Sequence, residues 1–278
     1  MALNLPTFYK RLGSSIVFVA IMLTGLLWNE MVFLVLICLI NVLCLRDYFR
    51  LMHTIYPETT WPDWLTTTMQ VIALLLIVPV FFIHYISWNV IGLAAMAWVI
   101  LPVTPTLLIL GGVLSKKNAL LAVLQSIGGI FYITLPVILL LLLRIDSIIL
   151  PIALILMIWC NDTMAYLMGS FFGKTPFSSI SPKKTWEGTV GGAVLTIVCA
   201  GLVGHYSQTY RMTDWIMLAL CATIAGTLGD LLESKLKRMA DVKDSGTLMP
   251  GHGGALDRFD SLLVAAPFAY VYVVYFMK

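Results

Sequence analysis

Long apolar runs alternate with short polar connections along most of the chain. A chain that crosses lipid has no water for its backbone hydrogen bonds, so each long apolar run is predicted to be an α-helix. The predicted fold is therefore all-α and polytopic, with about nine transmembrane helices. The candidate spans are 12–28, 31–45, 68–86, 88–112, 119–143, 147–170, 188–205, 214–231 and 261–277.

The positions of Lys and Arg set the predicted orientation of these spans. With nine spans and a cytosolic N-terminus, only Arg144, Arg211 and Lys278 among the 17 basic residues lie outside. Cytosolic loops of membrane proteins carry an excess of Lys and Arg, so this orientation is favoured over its inverse. The segment 46–67 is then predicted to be a cytosolic connection.

Composition excludes an ordinary soluble domain. The chain is 60% hydrophobic and 11% charged, whereas soluble domains carry roughly 25% charged residues. The polar residues suited to chemistry gather after about residue 160 in the sequence. We therefore expect 1–113 to form a scaffold of lipid-contacting helices and 114–278 to form the catalytic region of one continuous membrane domain.

The most polar passage, 234–260, lies just before the last predicted span. Gly251, Gly253 and Gly254 surround His252, and glycines of this kind allow positive φ and a close approach of backbone to ligand. If the next segment is helical, its free N-terminal amides favour a phosphate. Five basic residues of the passage are suited to further anionic groups: Lys235, Lys237, Arg238, Lys243 and Arg258.

Two acids follow the glycines at helical spacing. Asp257 and Asp260 are three residues apart and would share one face of a helix. Neighbouring carboxylates repel one another unless a cation lies between them, and Mg²⁺ suits oxygen ligands shared with substrate phosphates. The alternative is an ordinary basic cytosolic loop, which would explain the lysines but neither the glycines nor the paired acids.

Asp162 lies inside the sixth predicted span, in the half nearer the cytosol. An acid within a span is costly and indicates a functional site; the alternative is a helix-packing acid paired with a lysine. Spans six and eight end on the cytosolic side, where span nine begins. Six residues are therefore predicted to converge on one inner-leaflet cavity: Asp162, Lys183, Lys184, Asp230, Asp257 and Asp260.

The loop 171–187 precedes the seventh predicted span. Ser181 followed by Pro182 predicts a helix N-cap with proline at the first helical position. Lysines beside such a helix start, here Lys183 and Lys184, suit a polyphosphate. Trp186 is suited either to stacking on a base or to the membrane interface.

Three groups of motifs carry a family resemblance. They are Asp162-Thr163-x-Ala165-Tyr166, then Ser181-Pro182-Lys183-Lys184-Thr185-Trp186-Glu187-Gly188, then a run that combines Ser234-Lys235-Leu236-Lys237-Arg238, Lys243-Asp244, Pro250-Gly251-His252-Gly253-Gly254 and Asp257-Arg258-Phe259-Asp260. In order and spacing these resemble the phosphatidate cytidylyltransferase (CDP-diacylglycerol synthase) family. The remainder of the chain resembles that family more loosely, by its hydropathy profile.

The resemblance implies an activity and a setting. CTP and phosphatidate would react to give CDP-diacylglycerol and pyrophosphate in phospholipid biosynthesis. The implied cofactor is Mg²⁺, and a second, monovalent cation such as K⁺ is compatible with it. The implied protein is a homodimer in contact with membrane lipid, multi-pass in the bacterial inner membrane, with its active site facing the cytosol and no nucleic-acid partner.

The resemblance also implies residue roles. Asp230 and Asp257 are expected to hold the metal. The expected catalytic residues are Asp230, Asp257, Asp260, Lys243, Asp244, His252 and Arg258. The expected substrate-binding residues are Lys183, Lys184, Trp186, Ser234, Lys235, Lys237, Arg238, Gly251, Gly253, Gly254 and Asp162.

Three other functions compete with this interpretation. A CDP-alcohol phosphotransferase also uses metal-bound aspartates, but its aspartate pattern is absent from the sequence. A secondary transporter could use Asp162 and Asp230 to couple ions, but the polar groups crowd one membrane face and no inverted repeat is evident. A non-catalytic lipid-binding homologue is disfavoured by the intact aspartates.

Overall fold

The computed structural model describes residues 5–58, 63–85, 119–248 and 253–277. Within these ranges the regular secondary structure is helical. Two π-helical segments, Ile130–Thr134 and Cys221–Ala225, join α4 to α5 and α8 to α9. The α-helices are α1 (Leu5–Leu27), α2 (Glu30–Ile55), α3 (Asp63–Tyr85), α4 (Ala119–Gly129), α5 (Leu135–Asp146), α6 (Ile149–Phe172), α7 (Trp186–Tyr206), α8 (Met212–Leu220), α9 (Gly226–Met239) and α10 (Leu256–Tyr275).

The predicted all-α, polytopic membrane fold is confirmed. The fourth predicted span, 88–112, lies outside the described residues, so the total of nine spans and the cytosolic N-terminus stay predictions. Among the described residues, six continuous helices are long and apolar enough to cross a membrane: Glu30–Ile55, Thr66–Ile83, Leu120–Asp146, Ile149–Phe172, Trp186–Tyr206 and Met212–Met239.

Helix α2 is longer than the predicted span 31–45. It begins after Asn29, whose side chain accepts a hydrogen bond from the backbone N–H of Val32, and it continues to Ile55. The prediction that 46–67 is a connection is therefore wrong for 46–55. Arg46 and Arg50 are four residues apart on an exposed face of the helix, while the residues between them are buried. The charges thus mark an amphipathic continuation of the helix and not its end.

The chain forms two compact units. The first unit comprises residues 1–141 and 239–257, and the second comprises 142–238 and 258–278. Much of the polar passage that precedes the last helix therefore belongs to the same unit as the N-terminal helices. The predicted division into 1–113 and 114–278 stays a prediction.

In the first unit, α2 packs closely on α4 through an aromatic residue. The Tyr48 hydroxyl donates a hydrogen bond to the backbone carbonyl of Gln125 at 3.1 Å. A Cβ at Gly128 would lie 2.7 Å from that hydroxyl, and a Cβ at Gly129 would lie 3.2 Å from the Tyr48 ring. The two glycines therefore let the ring lie against the backbone of α4.

In the second unit, small residues allow α6 and α7 to approach one another. Gly188 and Gly192 of α7 are four residues apart, as are Ala165 and Gly169 of α6. A Cβ at Gly192 would lie 2.6 Å from the Ala165 backbone nitrogen, and one at Gly188 would lie 2.9 Å from the Gly169 Cα. Close packing of small residues is a common basis of helix association in membranes.

This packing predicts a position-dependent effect of single methyl groups on α7. Gly192→Ala should destabilise the protein by about 1–3 kcal/mol, because the added methyl group meets backbone atoms that cannot move aside. The measurement is the thermal unfolding midpoint of the purified protein in detergent. Gly201→Ala is the matched control on the same helix, because its Cβ would meet only side-chain atoms at 3.4 Å or more. Equal midpoints for the two variants would contradict the packing argument.

Candidate active site

The second unit contains a polar cavity of about 500 Å³. Its walls come from α6, the loop before α7, the start of α7 and α9. Asp162, Lys183, Lys184 and Asp230 all line it. The structure thus brings together four of the six residues that were predicted to converge. Asn161 also lines the cavity; it is buried, and its Oδ1 atom accepts no hydrogen bond within the described part of the chain.

Lys184 and Asp230 form an ion pair across this cavity. Their side chains are 31% and 28% exposed, so both are largely withdrawn from water. Burial lowers the pKa of the Lys184 ammonium group, while the negative charges of Asp162 and Asp260 act in the opposite direction. The lysine is therefore surrounded by carboxylates that favour its charged form.

A carboxylate at the start of α7 orders the loop that carries these lysines. Glu187 accepts hydrogen bonds from the backbone N–H of Lys174 at 3.1 Å and from the hydroxyl of Thr175 at 2.9 Å. The Phe177 N–H donates to the Lys184 carbonyl at 2.8 Å. The loop is thus tied at both ends, and this role of Glu187 was not predicted.

The N-cap of α7 differs from the prediction. Ser181 does not cap the helix; its carbonyl accepts a hydrogen bond from the Lys184 N–H at 3.0 Å and so closes a turn. The cap is Thr185, which has an extended backbone (φ −118°, ψ 152°) and accepts a hydrogen bond from the Gly188 N–H at 3.1 Å. The two predicted lysines therefore precede the helix and do not lie in its first turn.

Three carboxylates come together where α9 meets α10. Asp230, Glu233 and Asp260 each offer an oxygen atom, and these atoms lie within 4.8 Å of one another. Glu233 is fully buried and forms an ion pair with Lys237 one turn later. A Cβ at Gly229 would collide with the Asp260 backbone, so glycine allows the two helices to approach. Glu233 was missed, although its spacing of three residues from Asp230 would have revealed it.

In the first unit, Asp257 is held by the loop that precedes α10. Its Oδ2 atom accepts hydrogen bonds from the Ser245 N–H and hydroxyl, both at 2.8 Å, and from the Gly254 N–H at 2.7 Å. Gly253 has a φ of +83°, a positive value of the kind that the sequence led us to expect for these glycines. Gly251 and His252 lie outside the described residues.

The first amides of α10 are bound by a residue that was not predicted. The Ala255 and Leu256 N–H groups donate to Asp47 Oδ2 at 2.6 and 3.2 Å. The sequence favoured a phosphate at this helix start, but these two amides and that of Gly254 donate to carboxylates of the protein itself. No sequence pattern links Asp47 to a segment 208 residues away.

Most of the other predicted site residues lie at the surface. Trp186 is about half exposed, and its ring contacts Phe177 edge-on at 4.5 Å. Ser234 donates a hydrogen bond to Asp230 Oδ1 at 3.4 Å. Among the predicted site residues that the structure describes, the exposed charged ones are Asp162, Lys183, Lys235, Arg238, Lys243, Asp244 and Arg258.

Comparison with known proteins gives consistent matches. Phosphatidate cytidylyltransferases from Haemophilus influenzae, Synechocystis sp. and Bacillus subtilis are 42%, 48% and 46% identical to the chain over 119, 118 and 121 residues. The matches cover 41%, 42% and 43% of this chain, and 41%, 40% and 45% of the respective relatives. The aligned part of the chain thus spans less than half the length of each relative.

A broader match comes from a family model described as the cytidylyltransferase family, which covers residues 9–276. This range includes the cavity of the second unit and the loop between α9 and α10 that binds Asp257, here called the Asp257 loop. It also includes all of the described helices except the first few residues of α1. The prediction made from the motifs is confirmed: the chain belongs to the cytidylyltransferase family.

Proposed function

We propose that the protein transfers the cytidylyl group of CTP to phosphatidate, giving CDP-diacylglycerol and pyrophosphate, in phospholipid biosynthesis. The observation that carries the proposal is the cavity of the second unit, in which Lys184 pairs with Asp230 beside Asp162. Charged groups of both signs in a membrane protein suit a reaction between a lipid phosphate and a nucleotide. The names of the relatives support the same assignment.

The reaction needs little acid–base chemistry. A phosphate oxygen of phosphatidate attacks the α-phosphorus of CTP and forms a new P–O bond. The bond from the α-phosphorus to the oxygen that bridges it to the β-phosphorus breaks, and pyrophosphate leaves with the electron pair. Because the nucleophile is already an anion, catalysis consists mainly of positioning and charge neutralisation.

The carboxylates of α9 and α10 fit a divalent cation. Asp230, Glu233 and Asp260 offer three oxygen atoms within 4.8 Å of one another, and hard oxygen ligands are those that Mg²⁺ prefers. We propose Asp230 as a ligand, with Glu233 and Asp260 beside it, and Asp257 on the basis of the family resemblance. Bound Mg²⁺ would neutralise triphosphate charge and stabilise the departing pyrophosphate. A second, monovalent cation such as K⁺ stays part of the proposal.

The basic residues would bind the remaining phosphate charge. Lys183 and Lys184 line the cavity and are assigned to the lipid phosphate or the triphosphate. Lys243 and Arg258 are exposed on either side of the Asp257 loop in sequence and are assigned to CTP. His252 is proposed as a hydrogen-bond donor to a phosphate.

Exposed aromatic residues beside the cavity suit a substrate that stays in the bilayer. Tyr166 lines the cavity and is 74% exposed, and Phe171, five residues later on α6, is 78% exposed. Phosphatidate could thus keep its acyl chains in lipid while its phosphate enters the polar site. The proposal places the protein in the bacterial inner membrane as a homodimer, with this site facing the cytosol.

The direct test of the proposed reaction is incorporation of nucleotide label into lipid. Purified protein in detergent, supplied with phosphatidate, Mg²⁺ and radiolabelled CTP, should yield labelled lipid. Omission of phosphatidate or addition of EDTA should abolish the product, because EDTA removes the metal that the carboxylates are proposed to hold. No labelled lipid from well-folded protein, across several metals and lipids, would refute the proposed function.

The role of Asp257 predicts loss of activity without loss of protein. Asp257→Asn should lower kcat at least about a hundredfold, because a neutral amide is a poor ligand for Mg²⁺. Membrane abundance and the unfolding midpoint should stay close to the wild-type values, since the amide retains an acceptor oxygen for the Ser245 and Gly254 donors. Asp241→Asn is the matched control, an exposed acid with φ +52° in the same connection, and asparagine tolerates that backbone conformation. Full activity in Asp257→Asn would remove Asp257 from the proposed site.

The role of Lys243 predicts weaker use of the nucleotide. Lys243→Ala should raise the KM for CTP about tenfold and leave the KM for phosphatidate nearly unchanged, because one charge-assisted contact to phosphate is lost. Steady-state kinetics with each substrate varied in turn measures both constants. Arg50→Ala, which removes an exposed cation from α2, should change neither. An unchanged dependence on CTP in Lys243→Ala would contradict the assignment.

A further inference from the structure

Asp47 is a buried carboxylate in the part of the chain that was expected to be scaffold. It lies on α2, and only 8% of the residue is exposed to solvent. A carboxylate in such a place is costly unless polar groups satisfy it. It accepts the two hydrogen bonds from the Ala255 and Leu256 N–H groups. Asp47 is therefore satisfied by the start of α10.

These amides are donors that α10 cannot satisfy itself. The first N–H groups of a helix have no partner within the helix, and a negative charge beside them is favoured by the helix dipole. Asp47 thus does for α10 what an N-cap residue usually does from within the same segment. The start of α10 is held in this way by a helix that lies far from it in the sequence.

The fit around Asp47 is tight on the loop side as well. A Cβ at either Gly246 or Gly254 would collide with its carboxylate. Both glycines belong to the loop that holds Asp257, and Gly254 also donates its N–H to Asp257 Oδ2. Gly254 is therefore in contact with both carboxylates, Asp47 through its Cα face and Asp257 through its amide.

The two carboxylates together bind the described residues on both sides of 249–252. Asp257 binds Ser245 and Gly254, while Asp47 binds Ala255 and Leu256, the next two residues along the chain. If Asp47 releases the last two residues, the Gly254 donor that orients Asp257 is no longer held in place. Asp47 thus holds the segment that supplies one of the three donors to the Asp257 carboxylate, while Ser245 supplies the other two.

We propose that Asp47 is a positioning residue, which holds the start of α10 so that the Asp257 carboxylate is presented in its active orientation. The proposal rests on the proposed function in one respect: it takes Asp257 to be a ligand of Mg²⁺. Outer groups that orient metal ligands are commonly important for metal affinity. Asp47 itself touches neither substrate nor metal in this proposal.

The test separates a local effect on the loop from a general loss of stability. Asp47→Ala removes the carboxylate that accepts the hydrogen bonds from the Ala255 and Leu256 N–H groups. Asp47→Asn keeps one acceptor oxygen and loses the charge. Leu45→Ala is the matched control, because Leu45 is also fully buried on α2 and its truncation weakens packing without touching the loop. If Asp47→Ala does not fold, Asp47→Ser, which is too short to reach both amides, takes its place.

The first readout is hydrogen exchange, which needs neither substrate nor metal. Backbone amides in 245–248 and 253–257 should exchange about tenfold faster in Asp47→Ala than in the wild type, the effect of losing roughly one hydrogen bond. The exchange rates of the same amides in Asp47→Asn should be closer to the wild-type rates. Leu45→Ala should lower the unfolding midpoint but leave exchange in 245–248 and 253–257 unchanged.

The second readout is the Mg²⁺ concentration for half-maximal formation of labelled lipid. It should rise about tenfold or more in Asp47→Ala, less in Asp47→Asn, and not at all in Leu45→Ala. Unchanged exchange in Asp47→Ala, equal acceleration in Leu45→Ala, or an unchanged Mg²⁺ requirement with faster exchange would each overturn the proposal. If the wild type makes no labelled lipid, the proposed function fails, and the exchange experiment alone decides whether Asp47 holds the loop.

Discussion

A charge buried among apolar helices must find a partner, and this requirement arranges the polar residues of the chain. Asp47 is satisfied by the first amides of α10, Lys184 by Asp230, and Glu233 by Lys237. In the first two cases the partners lie on different segments, so satisfying the charge also joins a loop or a helix start to a distant helix. The same interactions that make the charges tolerable therefore give the polar loops a defined shape.

This arrangement suits chemistry on polyanions at a membrane. Lys184 already lies among carboxylates in a cavity, so a phosphate that enters the cavity would exchange one anionic partner for another. The lysine need not be desolvated when the substrate arrives, since the protein has met that cost during folding. The proposed transfer then depends on how accurately the charged groups are held, which gives Glu187 and Asp47 their importance.

The sequence predicted the parts of the molecule that depend on local pattern. Apolar runs located the long helices in the described part of the chain, and Asp162, Lys183, Lys184 and Asp230 do line one cavity. The start of α7 was misplaced because Ser181-Pro182 is a good capping pattern, but the hydroxyl oxygen of Thr185 accepts the hydrogen bond from the Gly188 N–H instead. The role of Asp47 could not be predicted, because its partners are remote in the sequence. Its charge also suggested that the second apolar span ends there.

The π-helical segment Cys221–Ala225 lies immediately before the α9 acids. A π turn carries one residue more than an α turn, and such turns are frequent at functional sites. One residue corresponds to about 100° of rotation in an α-helix, so this segment sets the direction of Asp230 and Glu233 independently of the apolar face of α8. The length of the apolar helix and the direction of the Asp230 and Glu233 side chains are therefore set by different residues. A single-residue deletion in Cys221–Ala225 would keep a helix long enough to cross the membrane but would turn these two acids away from their present direction.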